Sequence, residues 1–116
     1  MIKNFKNLDI WKRSCRLVKK IYKATKELPK EEAYGLTSQI RRAAVSVPSN
    51  IAEGCGRKTI PDLSRFLDMS IGSLCELETQ LYLSHDLEFL KMKIMQDLVD
   101  EIGQIRRMII AYQNKL

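Results

Sequence analysis

Leu63, Leu67, Ser70, Leu74, Leu77, Leu81 and Ser84 recur at alternating steps of four and three. On an α-helix that alternation holds all seven side chains on one narrow face, whereas a half-buried strand needs alternation at every second residue. A stripe of about six turns is marginal alone in water and must be buried against partner helices. The rest of the chain supplies them.

The first helix is read from Leu8, Trp11, Cys15, Val18, Tyr22 and Thr25, with Asn7 and Asp9 as capping residues and Pro29 beyond its end near residues 27–28. Pro29, Glu31 and Glu32 suit the opening turn of a second helix, whose face is Leu36, Ile40, Ala43, Val47 and Ile51. Pro48 falls inside that pattern and deprives the Ala44 carbonyl of its donor. A kink or short break is therefore expected over residues 46–49, with Asn50 and Glu53 able to cap a restarted turn. Gly54 and Gly56 are expected to end the helix through a left-handed cap. A short basic loop leads to Pro61 and Asp62, which open the third helix. Residues 86–90 read as the last connection, and Ile94, Leu98, Ile102, Ile105, Ile109, Tyr112 and Leu116 mark a fourth helix. Short loops make consecutive helices alternate in direction. The expected fold is all-α: one domain over residues 1–116, an antiparallel up-and-down four-helix bundle with its second helix kinked near Pro48.

The chain's 5 Gly and 3 Pro are too few for the turns of a β-sandwich or barrel. No stretch approaches the ~20 apolar residues of a membrane span, so no membrane partner is expected. Residues 1–6 carry no apolar run for a secretory signal. Cys15, Cys55 and Cys75 are odd in number and not paired by spacing, which points to the reducing cytoplasm. Phe66, Met69 and Leu83 on the third helix, and Met92, Met95 and Met108 on the fourth, fall outside the seams. They are expected to form a second apolar surface against another subunit.

Catalytic chemistry finds little purchase. Cys15, Cys55, Cys75 and His85 contain no C-x-x-C pair and lie on different elements, so they read as buried structural thiols and a helix-end histidine rather than a zinc site. One histidine cannot build a carboxylate di-metal bundle, and His85 followed by Asp86 lacks a nucleophile at a helpful spacing. Glu53-Gly54-Cys55-Gly56-Arg57-Lys58 has no Walker spacing, although a glycine turn followed by Arg57 and Lys58 could hold an anion. Neither enzyme, metal nor cofactor is expected.

Charge is more telling. Net charge is +6, but residues 1–30 hold ten Lys or Arg against Asp9 and Glu27, for +8, while residues 61–90 hold Arg65 against six acids, for −5. Lys12, Arg16, Lys19 and Lys23 recur at four, three and four, roughly 110° round from the expected apolar face, and Arg13 and Lys20 broaden the stripe. Such a stripe suits the phosphates of RNA or DNA. The competing readings are a solvated face, or pairing with Asp68, Glu76 and Glu78 of the acidic third helix. Of Arg41 and Arg42, one is expected to face inward or towards the third helix, with Glu78 as partner.

The segment Tyr34-Gly35-Leu36-Thr37-Ser38-Gln39-Ile40-Arg41-Arg42-Ala43-Ala44-Val45-Ser46-Val47-Pro48-Ser49-Asn50-Ile51-Ala52-Glu53-Gly54 closely resembles the signature of one family. So do Gly72-Ser73-Leu74-Cys75-Glu76-Leu77-Glu78-Thr79 and Leu8-Asp9-Ile10-Trp11-Lys12. It is the family of four-helix bundle proteins encoded in intervening sequences of bacterial large-subunit ribosomal RNA genes. A related branch is the accessory variability determinant of diversity-generating retroelements. The resemblance implies a homo-oligomeric ring, commonly a pentamer, with no catalytic activity and a basic surface for RNA or DNA. For the retroelement branch it also implies a reverse transcriptase partner. It defines no fixed set of binding residues. The candidates are therefore Lys12, Arg13, Arg16, Lys19, Lys20, Lys23, Arg41, Arg42, Arg57 and Lys58.

Overall fold

Four helices account for most of the chain in the computed structural model, which describes residues 4–116; residues 1–3, part of the segment read for a secretory signal, lie outside it. Helix α1 runs Asp9–Thr25, α2 Leu36–Cys55, α3 Ile60–Asp86 and α4 Met92–Asn114, with single 3-10 turns at Phe5–Asn7 and Lys30–Glu32. Each helix packs on its neighbours in sequence and α4 returns to α1, closing an up-and-down bundle in which α1 and α3 stand diagonally apart. The long axis of 44 Å is set by α3, whose 27 residues span roughly 40 Å.

All seven positions of the α3 stripe are buried, and Phe66 and Gln80 join them. Thr59 caps this helix, its hydroxyl accepting from the Asp62 N–H at 3.2 Å, with Pro61 in the first turn. Along α4 the seam is Met95, Leu98, Ile102, Ile105 and Ile109, while Ile94 and Tyr112 are half-buried and Leu116 is exposed. Phe66 and Met95 thus belong to the subunit's own core rather than to a second surface; Met69, Leu83 and Met92 remain exposed.

Helix α1 is rotated from the face read in its sequence. Ile10, Ser14, Leu17, Ile21 and Ala24 are buried, one residue or about 100° away from the expected stripe, of which only Thr25 is also buried. Both stripes follow the same rhythm, and the expected one holds the bulkier side chains. The core takes the slimmer one: Ser14 returns its hydroxyl to the Ile10 carbonyl at 2.6 Å, and Ala24 is buried beside Ile21. Trp11 and Val18 become a half-buried shoulder, with Trp11 edge-on to Phe5 at 5.3 Å, and Tyr22 is exposed. Leu8, not Asn7, precedes the helix, and it makes no side-chain cap.

Helix α2 starts six residues after Lys30 rather than at Pro29, because Lys30–Glu32 closes only one 3-10 turn. Glu32 still serves its N-terminus by reaching forward, Oε1 accepting from the Leu36 N–H at 3.1 Å. The helix then continues through Pro48 without the expected break. Side chains reinforce the carbonyls around the proline. Ser46 donates to the Ala43 carbonyl at 2.8 Å, Ser49 to Val45 at 2.8 Å and Asn50 to Ser46 at 2.8 Å, while Ser70 of α3 donates to Val47 at 2.9 Å. Asn50 therefore ties the turn backward and caps no new start. Gly56 closes α2 at φ −84°, so no left-handed cap forms. Gly54 has a different reason: a Cβ there would stand 2.9 Å from the Phe66 Cβ and 3.2 Å from the Leu63 carbonyl oxygen. It lets α2 and α3 approach.

Candidate nucleic-acid interface

With the true core face of α1 in place, the row Lys12, Arg16, Lys19 and Lys23 lies roughly 150° from its centre rather than 110°. The four side chains point away from the bundle and all are exposed. Among the described residues none of them pairs with a carboxylate. Lys19 also reaches Cys15: burial raises that thiol's pKa, and the lysine's charge partly offsets the rise.

Arg13 and Lys20, read as broadening the row, turn towards α4 instead. Glu101, whose side chain is 14% exposed, takes Lys20 at 2.5 Å and Arg13 at 3.5 Å, and Arg13 also donates to Gln104 at 2.9 Å. Their charge is spent on the α1–α4 seam. Among the described residues no ion pair joins the basic helix to α3, which stands diagonally across the bundle from it. Two of the three α3 acids have other partners: Glu78 holds Arg106 at 3.4 Å and accepts from Tyr82 at 2.8 Å, and Asp68 accepts from Gln113 at 2.8 Å, while Glu76 is exposed. That hydrogen bond to Glu78 is the largest cause of the raised Tyr82 pKa.

Arg41 faces α1, not α3. Its Nε donates to Thr25 Oγ1 at 2.9 Å, its Nη2 to the Tyr22 carbonyl at 3.3 Å, and its guanidinium lies 4.5 Å from the Tyr22 ring centroid. Glu78 pairs with Arg106 rather than with either arginine of α2. Arg42 is exposed. Arg57 is held by Glu53 at 3.4 Å and Asp62 at 3.7 Å and lies over Phe66, turned towards α3, while Lys58 beside it is exposed. The ten candidates therefore divide. Among the described residues Lys12, Arg16, Lys19, Lys23, Arg42 and Lys58 are open to solvent without a carboxylate partner, and Arg13, Lys20, Arg41 and Arg57 are engaged within the fold, Lys20 and Arg57 while still exposed.

The cysteines do not gather. Cys55 is buried and its pKa raised by that burial, Cys15 is half-buried, and Cys75, expected to be buried, is exposed. His85 does not serve its own helix end; its Nδ1 meets the Leu90 carbonyl at 3.0 Å and ties down the α3–α4 connection. Among the described residues no group of three or more His, Cys, Asp and Glu could hold a metal ion, and no helix is long and apolar enough to cross a membrane.

Three residues beside the α1 row were not among the site candidates: Tyr34, wholly exposed; Tyr22, expected in the core but the platform for Arg41; and Lys26, exposed just past α1. Tyr34 belongs to no stripe and precedes a glycine, and that isolation was the available signal.

The family described as 23S rRNA-intervening sequence protein matches residues 6–111. The chain belongs to that family. Among solved structures, a protein of unknown function from the S23 ribosomal protein family of Bacteroides thetaiotaomicron is similar at a TM-score of 0.83 and 19% identity, covering 90% of this chain and 97% of its own. At that identity the likeness concerns the fold. Among curated proteins none matches. In this member of the intervening-sequence family, then, the bundle is shared, and the charge pattern has to be judged on its own residues.

Proposed function

We propose that the protein is a non-catalytic, cytoplasmic, homo-oligomeric nucleic-acid-binding protein that holds RNA or DNA by its phosphates on the outer face of α1. The observation that carries this is the row Lys12, Arg16, Lys19 and Lys23: exposed, without carboxylate partners and opposite the core. Four cations on about three turns of one rigid helix match the regular charge of a phosphate backbone. The family's description makes structured RNA the first ligand to test. Assembly into a ring, commonly of five, accords with exposed Met69, Leu83 and Met92. A reverse transcriptase is a further partner to test, through the resemblance to the retroelement branch.

Fluorescence anisotropy across a salt series, on structured RNA and duplex DNA, tests the reading. The variant carrying Lys12→Ala, Arg16→Ala, Lys19→Ala and Lys23→Ala runs alongside. On duplex DNA its log–log salt slope is expected to be shallower by about 3.6, at about 0.9 per phosphate contact. No binding at low salt, or an unchanged slope, overturns the reading. The alternative is a scaffold in which the row of one copy meets acidic α3 of the next, where Glu76 is exposed. That arrangement makes the quadruple variant fall apart in sedimentation while nucleic acid has no effect.

A further inference from the structure

Beside Tyr22 of α1, along α2 from Thr37 to Ser49, lies an open groove of about 720 Å³. Tyr22, Tyr34, Ser38, Arg41, Arg42 and Ser49 line it, and no Asp or Glu does. Two features make it more than a gap between helices. Arg41 is fixed by Thr25, by the Tyr22 carbonyl and by the Tyr22 ring, yet only Nε and Nη2 are used. Nη1 retains its donors in a preorganised fork. At the same groove stands Tyr34, an aromatic ring with 100% of its surface exposed. A ring so placed gives its fold no packing and offers a flat apolar face to a ligand.

The groove lies beside the basic row, about 90° round α1 from the row's centre. Lys19, Tyr22 and Lys26 are spaced by three and four, so they follow one line along α1 towards it, and Lys19, Lys23 and Lys26 share that rhythm on the side of the row. A strand whose phosphates track Lys19, Lys23 and Lys26 brings its bases to the groove's edge. A duplex hides the faces of its bases inside the stack; an unpaired base can turn out and lie on an aromatic ring.

We propose that this groove seats an unpaired nucleotide of a single strand, with the base stacked on Tyr34 and the phosphate on Arg41 and Arg42. The proposal rests on the nucleic-acid reading above and narrows it from phosphate contact in general to single-stranded segments.

The test compares labelled single-stranded RNA with the RNA duplex of the same sequence, using wild type, Tyr34→Ala, Tyr34→Phe and Arg42→Ala. Tyr34 is wholly exposed, so its variants keep the fold, which circular dichroism checks. Tyr34→Ala is expected to weaken single-strand binding about five-fold or more, at unchanged salt slope, and to leave duplex binding alone. Tyr34→Phe keeps the stacking face and behaves as wild type. Arg42→Ala makes the single-strand slope shallower by about 0.7. An unchanged single-strand affinity in Tyr34→Ala, or an equal loss on the duplex, overturns the proposal. A changed sedimentation coefficient in that variant also overturns it, by making the groove a contact between copies. If wild type binds neither ligand, the phosphate reading itself has failed. If it binds both and Tyr34→Ala alters neither, only this inference has.

Discussion

Gly54 and Gly72 sit within helices, yet the same substitution at each is expected to act with opposite sign. At Gly72, near the middle of α3, an added Cβ would meet nothing within 4 Å. Gly72→Ala then gains the helix propensity alone, about 1 kcal/mol. At Gly54 the Cβ would stand 2.9 Å from the Phe66 Cβ, 3.0 Å from Leu63 Cδ1 and 3.2 Å from the Leu63 carbonyl oxygen. Two of these atoms belong to, or sit directly on, the α3 backbone, so relief requires the helices to part. Overpacking of that kind costs about 1–3 kcal/mol. Gly54 lies in the last turn of α2, so its propensity gain is below that of a mid-helix site. Gly54→Ala should therefore lose about 1–2 kcal/mol net, placing the two variants about 2–3 kcal/mol apart. At about 4 °C per kcal/mol for a chain of this size, their melting temperatures differ by roughly 10 °C. Urea and thermal denaturation followed by circular dichroism, at two protein concentrations to separate assembly from folding, measure the two differences. A Gly54→Ala chain as stable as the Gly72→Ala chain would refute the claim that close approach of α2 and α3 is why residue 54 is glycine.

Glu101 is expected to show opposite effects in two assays. Glu101→Gln should destabilise the fold by about 1 kcal/mol through loss of Lys20 and Arg13, and should strengthen polyanion binding by releasing both cations; weaker binding to duplex DNA would contradict this. Thiol labelling at neutral pH should give one fast site, Cys75, and slower reaction at Cys15 and Cys55; a fast phase surviving Cys75→Ser refutes the assignment. Because burial raises the Cys55 pKa, the folded chain keeps that proton while the unfolded chain loses it above 9.0. This contribution to stability is whole below pH 9.0 and declines as pH rises further, and Cys55→Ala should flatten that decline in alkaline denaturation curves. Glu88 holds φ 64° in the α3–α4 connection, so Glu88→Gly should raise stability by about 1 kcal/mol, read as a shift in urea midpoint.

The α3 stripe, the α4 seam from Leu98 to Ile109 and the α2 face from Ile40 to Ile51 were legible from spacing alone, because each helix has one dominant apolar face and the bundle buries that face. Helix α1 was legible as a helix but not in its rotation. It carries two apolar stripes of equal rhythm, and only the space left by α2 and α4 selects the slimmer one, with Ser14 and Ala24, for the core. Pro48 shows the same limit: local chemistry predicts a kink or short break, whereas α2 runs unbroken from Leu36 to Cys55 with α3 packed along it, Ser70 donating to the Val47 carbonyl. At the candidate site the basic row Lys12, Arg16, Lys19 and Lys23 is a property of the sequence, since a period of 3.6 fixes which side chains share a face. Which cations remain open is not. Arg13 and Lys20 meet Glu101, Arg41 meets Tyr22, and Arg57 meets Glu53 and Asp62 only once the helices are packed. Periodicity is local and one-dimensional, so it determines faces. Pairing of a charge depends on the neighbour brought beside it from far along the chain, and only the tertiary structure decides that.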